Sequence, residues 1–177
     1  VCGAPYKCPV APSECALMLH DYLLERGVRQ DCTITLVSPL PSPVPPSPET
    51  SKALLAAFAE RNITFLPSSR VLSVDSAGKR VLLDGDRELP CDQFLGIPKN
   101  RAPDVVVATG LTEDGWVVVN PRTLETKFPN VFAVGDLAAT GAPKAGVFAE
   151  GAAKAVAQNL TALIRGQTPS AQNPGFG

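Results

Sequence analysis

The stretch VFAVGDLAATGAPKAGVFAE, from Val131 to Glu150, decides how the chain is interpreted. Its first four residues, Val131 to Val134, are all apolar and predict a short buried strand. Gly135-Asp136 follows at once, and a glycine beside a carboxylate at a strand end lets a ligand approach the backbone while the carboxylate accepts hydrogen bonds from hydroxyl groups. Pro143-Lys144 then opens a predicted long helix, whose N-terminal amide groups favour an anionic or electron-rich group.

The residues leading into this stretch carry a resemblance to a known family. The pattern T-x-x-P-x-V-F-A-x-G-D, read from Thr126 through Pro129 to Asp136, resembles the second flavin-binding motif of the FAD-dependent pyridine nucleotide-disulfide oxidoreductase superfamily. Within that superfamily, PKAGVFAE followed by GAAKAVAQNL is similar to the branch that contains sulfide:quinone oxidoreductases and flavocytochrome c sulfide dehydrogenase. The resemblance covers nearly the whole chain.

This resemblance implies roles for individual residues. The aspartate that matches Asp136 bonds the ribityl chain of FAD in the family, and the helix start from Lys144 to Gly146 aims its backbone at the pyrimidine end of the isoalloxazine. The predicted cofactor-binding residues are therefore Gly135, Asp136, Pro143, Lys144, Ala145 and Gly146. The alternative is a buried strand and a capped helix that bind no ligand.

The composition of the 177 residues excludes several classes of protein. The chain has 16 basic and 17 acidic residues and no basic block, so we predict no nucleic acid partner. A 45% hydrophobic content with 18 prolines and 14 glycines predicts a loop-rich α/β protein. No apolar run approaches the ~20 residues that span a bilayer, and no signal sequence is recognisable. We expect a cytoplasmic protein or one peripheral to a membrane, with any membrane contact encoded elsewhere.

The first half of the chain alternates between helical and strand patterns. A helix is predicted over APSECALMLHDYLLERGV, with a core face formed by Cys15, Met18, Leu19, Tyr22 and Leu23. A strand over Cys32–Ser38, a helix over Ser51–Arg61 and a strand over Ile63–Phe65 follow, which predicts a parallel α/β layer. On that face, Cys15 is expected to be a small buried hydrophobic residue.

From Val71 onward the hydrophobic period changes to two. Two or three antiparallel strands are predicted, with turns at Ser76-Ala77-Gly78 and Asp84-Gly85. Further strands are predicted over 105–107 and 115–119, then a long helix over about 145–165 and a frayed tail. The predicted fold is α/β: a Rossmann-like, degenerate NAD-type three-layer domain with an antiparallel meander over residues 1–100, and part of an FAD-binding domain over 101–177.

The glycine-rich turns of nucleotide-binding folds are missing. A superfamily member normally has two G-x-G-x-x-G turns, and this chain has neither. The place of the second turn, ahead of the first helix, is taken by residues Tyr6 to Glu14, YKCPVAPSE, whose prolines and side chains prevent close approach of a pyrophosphate. The strand ending at Ser38 also lacks the terminal Asp or Glu that would hold a ribose. Both observations argue against a nicotinamide nucleotide.

A cysteine occupies the place of that turn. The thiol of Cys8 lies just before a predicted helix N-terminus and beside Lys7, and both features favour the nucleophilic thiolate. KCPVAPSE resembles the (R/K)CP-x-x-P-x-E segment of the sulfide-oxidising branch, in which the cysteine attacks sulfide-derived sulfur close to the flavin. This resemblance implies a redox role for Cys8 and proton-transfer roles for Glu14 and Glu150. The alternatives are an unreactive loop cysteine and two surface carboxylates.

The remaining cysteines and the single His20 predict no metal site, because none of Cys2, Cys8, Cys15, Cys32 and Cys91 has C-x-x-C spacing. No cysteine follows Cys91, although sulfide-oxidising relatives carry a second redox cysteine after the long helix. The amino-terminal FAD unit of the family is also missing from the sequence. We therefore expect a fragment that is inactive alone and that partners with the missing FAD-domain segment.

Three functions remain open at this point. The first is part of an FAD enzyme that oxidises a small sulfur compound, such as sulfide or a thiol, and reduces a quinone or a cytochrome. The second is an NAD(P)H-dependent flavoprotein dehydrogenase of the same superfamily, against which the missing glycine turn argues. The third is a partner-binding module that has kept the fold without catalysis.

Overall fold

The computed structural model describes Lys7, Cys8 and residues 10–175, and it separates into two compact units. The first unit is Val1–Lys99 and the second is Asn100–Gly177. The dividing point lies next to the predicted boundary between residues 100 and 101. The assignment of these units to a degenerate nucleotide-binding domain and a partial FAD-binding domain stays a prediction.

The first unit is built on two parallel strands and two helices. Helix α1 covers Ala11–Glu25, strand β1 Ile34–Val37, helix α2 Pro48–Glu60 and strand β2 Ile63–Leu66. The strands pair in parallel, with Ile34 opposite Ile63. Their β-branched and leucine side chains pack with Ala16 and with Phe58, which is 1% exposed. The predicted succession of helix, strand, helix and strand is confirmed.

The face that α1 turns to the core differs from the prediction. The prediction is wrong for Cys15, Met18 and Tyr22: Cys15 is exposed, and the other two are 64% and 51% exposed. Ser13 and Ala16 are buried in their place, and α1 contacts β1. Small side chains at these positions let the helix backbone lie close to the strands, whereas the bulkier neighbouring stripe turns to solvent.

A single arginine joins three segments at the amino ends of β1 and β2. Arg29, in a 3-10 turn over Arg29–Asp31, donates from Nε to His20 Nδ1 of α1 at 2.8 Å. Its Nη atoms donate to the carbonyl oxygens of Cys32 and Arg61, each at 2.6 Å. These bonds satisfy backbone carbonyl groups that border the parallel pair.

The predicted meander is confirmed as three antiparallel strands. Strands β3 (Val71–Asp75), β4 (Arg80–Leu83) and β5 (Arg87–Pro90) pair in sequence order. The two turns fall where glycine and aspartate predicted them, since Gly85 has φ +67° and the Asp75 carboxylate accepts from the Gly78 amide at 2.8 Å. Alternate residues of β4, Val81 and Leu83, are buried, so one face of the meander belongs to the core.

The second unit contains little regular sheet. Helix α3 covers Asp104–Val107, strands β6 and β7 cover Thr112–Glu113 and Trp116–Val117, and helix α4 covers Gly146–Ile164. The predicted long helix is confirmed, and only two residues of the strand predicted over 115–119 are present. The core of this unit consists of Val117, Val119, Leu124, Ala133 and Ala138 together with Ala152 and Val156 of α4.

Two predicted strands of this unit are wrong. Residues 105–107 are helical, because Pro103 enters with φ −57°, Thr109 Oγ1 donates to the Val106 carbonyl and Gly110 ends the turn at φ +70°. Val131 to Val134 forms no strand, since within the described chain only Phe132 makes a bridge, to Glu125. An apolar segment needs a hydrogen-bonding ladder as well as a suitable pattern.

The described chain after α4, residues 165–175, packs against the unit through hydrogen bonds instead of fraying as predicted. The buried side chain of Asn159 accepts from the Ala171 amide and donates to the Ala171 carbonyl, both at 2.9 Å. Further along, the Asn173 amide donates to the Arg122 carbonyl at 2.8 Å. A carboxamide pairs with extended backbone as a neighbouring strand would, and so it fixes the tail. In the described part of the chain, no helix combines the length and apolar character that a membrane span needs.

Candidate functional site

The Gly135-Asp136 turn depends on a glycine for two separate reasons. Val134 enters in an extended conformation, and a 3-10 turn covers Gly135–Leu137. Gly135 has φ +67°, and a Cβ added to it would lie 3.2 Å from the Cβ of Ala149 on α4. Both the backbone conformation and the close packing exclude a side chain. The turn therefore holds Asp136, which is half-buried, against the first part of the long helix.

The start of α4 is open to its surroundings. Ala145 is the N-cap residue, and no side chain caps it. A Cβ added at Gly146 would have no heavy atom within 4 Å, and Val147 is 71% exposed. Pro143 comes just before, and its carbonyl accepts from the Ala145 amide at 3.0 Å. The amide groups of the first turn thus present the positive end of the helix dipole to accessible space, as an anionic or electron-rich ligand requires.

Lys144 connects the turn to the helix start. Its Nζ donates to the carbonyl oxygens of Asp136 at 2.6 Å and Ala138 at 3.1 Å. The same ammonium lies 3.9 Å from the centroid of the Trp116 ring. Sequence reasoning missed Trp116, because a contact between distant segments leaves no local pattern. The turn, Lys144 and the start of α4 therefore lie next to one another, and Pro143 directly precedes Lys144. This region contains the predicted cofactor-binding residues Gly135, Asp136, Pro143, Lys144, Ala145 and Gly146.

Cys8 and Glu14 lie in the first unit, at the start of α1. Cys8 is half-buried with φ +51°, and its carbonyl accepts from the Ala11 amide at 3.0 Å. Pro9, part of the predicted motif, lies outside the described residues. Glu14 is exposed in the first turn of α1. Cys8 therefore precedes a helix N-terminus as predicted, and the chemical roles of Cys8 and Glu14 stay predictions.

Glu150 lies on the surface of α4. Its carboxylate is 68% exposed and pairs with Lys154 Nζ at 2.7 Å. The hydrogen bond from Lys154, and then the charge of that ammonium, lower the pKa of Glu150 below its ordinary value. A lowered pKa stabilises the ionised form of this carboxylate and makes it a weaker proton acceptor. Its role in proton transfer stays a prediction. Across the described residues, no group of three or more His, Cys, Asp or Glu is arranged to hold a metal.

A family comparison covers most of the chain. The pyridine nucleotide-disulphide oxidoreductase family matches residues 11–160, and the chain belongs to this family. The mitochondrial sulfide:quinone oxidoreductase of Schizosaccharomyces pombe is 27% identical over 96% of this chain and 39% of its own length. The sulfide-quinone reductase of Aquifex aeolicus is 29% identical over 86% of this chain and 40% of its own length. The predicted membership in the superfamily is confirmed, and these two relatives support the sulfide:quinone oxidoreductase-like branch.

Solved structures confirm the predicted α/β, Rossmann-like fold. The crystal structure of sulfide:quinone oxidoreductase from Aquifex aeolicus matches with a TM-score of 0.73 and 27% identity, over 85% of this chain and 40% of that chain. A ferredoxin reductase from Rhodopseudomonas palustris shares the fold at 20% identity, with a TM-score of 0.64 over 91% of this chain and 41% of that chain. The chain spans about two fifths of the length of these proteins. By name, the matched family and these relatives are oxidoreductases or reductases.

Proposed function

We propose that the chain is part of an FAD-dependent enzyme that oxidises sulfide, or a related thiol or sulfur compound, and passes electrons to a quinone or a cytochrome. One observation carries this proposal: the open start of α4 is held beside the Gly135-Asp136 turn by Lys144. The names of the relatives, which specify sulfide and quinone, support the substrate and the acceptor.

The second unit has the chemistry that a flavin needs. The half-buried Asp136 stands on a turn that packs on α4, where a carboxylate can accept from ribityl hydroxyl groups. The amide of Gly146 opens the helix without a side-chain cap, and Gly146 adjoins open space. These residues would hold the cofactor through one carboxylate and one positive helix end, which matches a polyol joined to an electron-poor ring that gains charge on reduction.

The thiol of Cys8 is the proposed nucleophile. It lies just before the α1 N-terminus, at the positive end of the helix dipole, and the thiolate is the form of cysteine that bonds to sulfur. When bound, FAD would supply the two-electron acceptor needed when the Cys8 thiolate and a hydrosulfide ion form an S–S bond and release one proton. Glu14 and Glu150 are the proposed proton carriers of the protein. Because no cysteine follows Cys91, the chain alone is expected not to turn over.

The first experiment asks whether the protein is a flavoprotein. The polypeptide that carries this chain is purified, and its visible absorbance and extracted cofactor are measured. We expect bound FAD and its bleaching by sulfide. A colourless protein that takes up no added FAD would contradict the proposal and favour a partner-binding module. Rapid bleaching by NADH would instead favour the dehydrogenase alternative.

The second experiment tests the thiol separately. Cys8→Ser is compared with Cys15→Ser, which removes an exposed thiol on α1, the helix that follows Cys8. We expect Cys8→Ser to lower the rate of sulfide-driven flavin reduction by about 100-fold or more, since the hydroxyl is a poor sulfur nucleophile, and Cys15→Ser to change it less than twofold. Equal rates in the two variants would remove Cys8 from the mechanism and leave the flavin site standing.

The acceptor decides where the protein works. Quinones dissolve in the bilayer, so reduction of a quinone requires contact with a membrane surface, whereas reduction of a soluble cytochrome does not. We propose peripheral membrane contact. Flotation of the protein with lipid vesicles that contain a quinone analogue tests this, and a protein that stays with the soluble fraction while reducing cytochrome c would favour the cytochrome.

A further inference from the structure

The groups of the second unit around the Lys144 ammonium include two carbonyl oxygens and an aromatic ring. Two of its N–H donors reach the carbonyl oxygens of Asp136 and Ala138, which belong to the turn and its exit. The ring of Trp116 lies beneath at 3.9 Å, well inside the distance at which an aromatic face attracts a cation. Lys144 itself stands two residues before the first residue of α4 and directly before the N-cap residue Ala145.

Strand β7, which contains Trp116, also contacts the exit of the Gly135-Asp136 turn through its backbone. Val117 forms a parallel bridge to Ala138, and its carbonyl accepts from the Ala139 amide at 2.8 Å. Val117 is 0% exposed and Ala138 is 2% exposed, so this junction is part of the core. Strand β7 therefore binds the exit of the turn through its backbone and the start of α4 through the Trp116 ring.

We propose that Trp116 is a positioning residue of the flavin site, which acts through Lys144 to fix the Asp136 turn relative to the start of α4. This inference rests on the proposed function, because it assigns a purpose to the distance between two groups that would contact one cofactor. The lysine ammonium is strongly hydrated and sits on a flexible four-carbon chain, so it readily leaves a protein contact for solvent. The indole face keeps it over the two carbonyls, and it does so without neutralising its charge.

The test compares four variants in the flavin-loaded protein: Trp116→Phe, Trp116→Leu, Lys144→Met and the double variant Trp116→Leu/Lys144→Met. Lys127→Met is the matched control, because Lys127 also lies over a ring, that of Phe128 at 5.4 Å, but outside the site. FAD affinity is measured by titration, and urea unfolding is measured for each variant. We expect about tenfold weaker binding in Trp116→Leu and Lys144→Met, about threefold in Trp116→Phe, and no change in the control.

Non-additivity separates positioning from general stability. If Trp116 acts through Lys144, the double variant binds FAD no more weakly than Lys144→Met alone. Multiplied losses in the double variant would overturn the proposal. Should Trp116→Leu fail to fold, the comparison between Trp116→Phe and Lys144→Met decides, since an FAD affinity within twofold of the unmodified protein in both would also overturn it.

The contact between Lys144 and the Trp116 ring can also be followed by tryptophan fluorescence. Trp116 is the single tryptophan of the 177-residue chain, so its fluorescence can be recorded on this chain without cofactor. We expect Lys144→Met to shift or intensify the emission and Lys127→Met to leave it unchanged. Identical spectra in both variants would overturn the proposal at its first step. Wild-type protein that binds no FAD would overturn the proposed function together with this inference, whereas wild-type binding with unaffected variants would overturn the inference alone.

Discussion

The two units of the chain differ in how much regular sheet they contain and in whether they contain a glycine turn suited to a ligand. The first unit has paired parallel strands, two helices and two hydrophobic clusters, but a cysteine segment without a glycine-rich turn precedes its first helix. The second unit has a glycine turn and an open helix start suited to a ligand, but its β6–β7 sheet has only two residues per strand. The first unit thus has the more regular sheet and no glycine turn before its first helix, while the second has the Gly135-Asp136 turn and little regular sheet.

This difference shows what holds a binding surface in place. In the first unit, burial of large side chains such as Phe58 accounts for the architecture. In the second unit, individual contacts take over: Lys144 on carbonyl groups and Trp116, Gly135 against Ala149, and Asn159 on the tail. The comparison predicts that core substitutions affect the first unit most and that point contacts control the second.

The largest effect is expected from Phe58→Ala in the first unit. Phe58 is 1% exposed, and its ring stacks on Phe65 with centroids 6.1 Å apart. Removing a buried aromatic ring loses its transfer free energy and leaves a cavity, so the free energy of unfolding should fall by about 3–5 kcal/mol. Urea denaturation measures it. Phe128→Ala is the control at 44% exposure, and a similar loss in both variants would break the comparison.

A smaller loss is expected from Gly135→Ala in the second unit. The alanine must adopt φ +67°, and its Cβ would lie 3.2 Å from the Cβ of Ala149. The free energy of unfolding should therefore fall by about 2–3 kcal/mol. Gly141→Ala is matched in conformation, at φ +82°, but has no heavy atom within 4 Å, and it should cost about 1 kcal/mol. Equal losses would mean that close packing on α4 contributes nothing.

Asn159→Ala should release the tail while leaving most of the unit intact. It removes two buried hydrogen bonds to Ala171, and the opening free energy of the tail should fall by about 1–3 kcal/mol. Faster trypsin cleavage after Arg165 measures this opening. Gln158→Ala, on the exposed side of the same helix, is the control. Unchanged cleavage in Asn159→Ala would show that other contacts hold the tail.

The smallest effect concerns acid stability of the meander. The Gly78 amide, and then Arg80, lower the pKa of Asp75 below 3.8 in the folded protein. A lowered folded-state pKa contributes stability that is present above the unfolded value and is lost as pH falls through the folded value. Asp75→Asn should therefore flatten the dependence of unfolding free energy on pH in the range below about pH 4. Asp92→Asn, at an 88% exposed carboxylate, is the control, and parallel curves for Asp75→Asn and the unmodified chain would contradict the assignment.

The parts of the fold that the sequence predicted are those fixed by local patterns. Helices α1, α2 and α4 follow from apolar periodicity, and the meander follows from alternation around glycine turns. The core face of α1 was mispredicted because two overlapping stripes satisfy the same period. Close packing selected the small residues Ser13 and Ala16, which a count of large apolar residues does not reveal.

The failures in the second unit have a different cause. Three successive valines at 105–107 suit a strand, yet Pro103 before them and Gly110 after them provide a helix start and stop. Of the site, Gly135 was predictable because its positive φ and its close approach require a glycine. The stack of Lys144 on Trp116 was not, since it joins segments far apart in the chain.

The solvent-facing position of Cys15 on α1 determines how the chemistry of Cys8 has to be measured. Cys15 is exposed, whereas Cys8 is half-buried a short distance along the same segment. Labelling of the unmodified chain will therefore include the Cys15 sulfur, and also those of Cys32 and Cys91, which are half-buried like Cys8. A background in which every cysteine except Cys8 is replaced by serine turns such labelling into a direct readout of Cys8, and Cys15 itself offers an attachment point for a spectroscopic probe on the surface of α1.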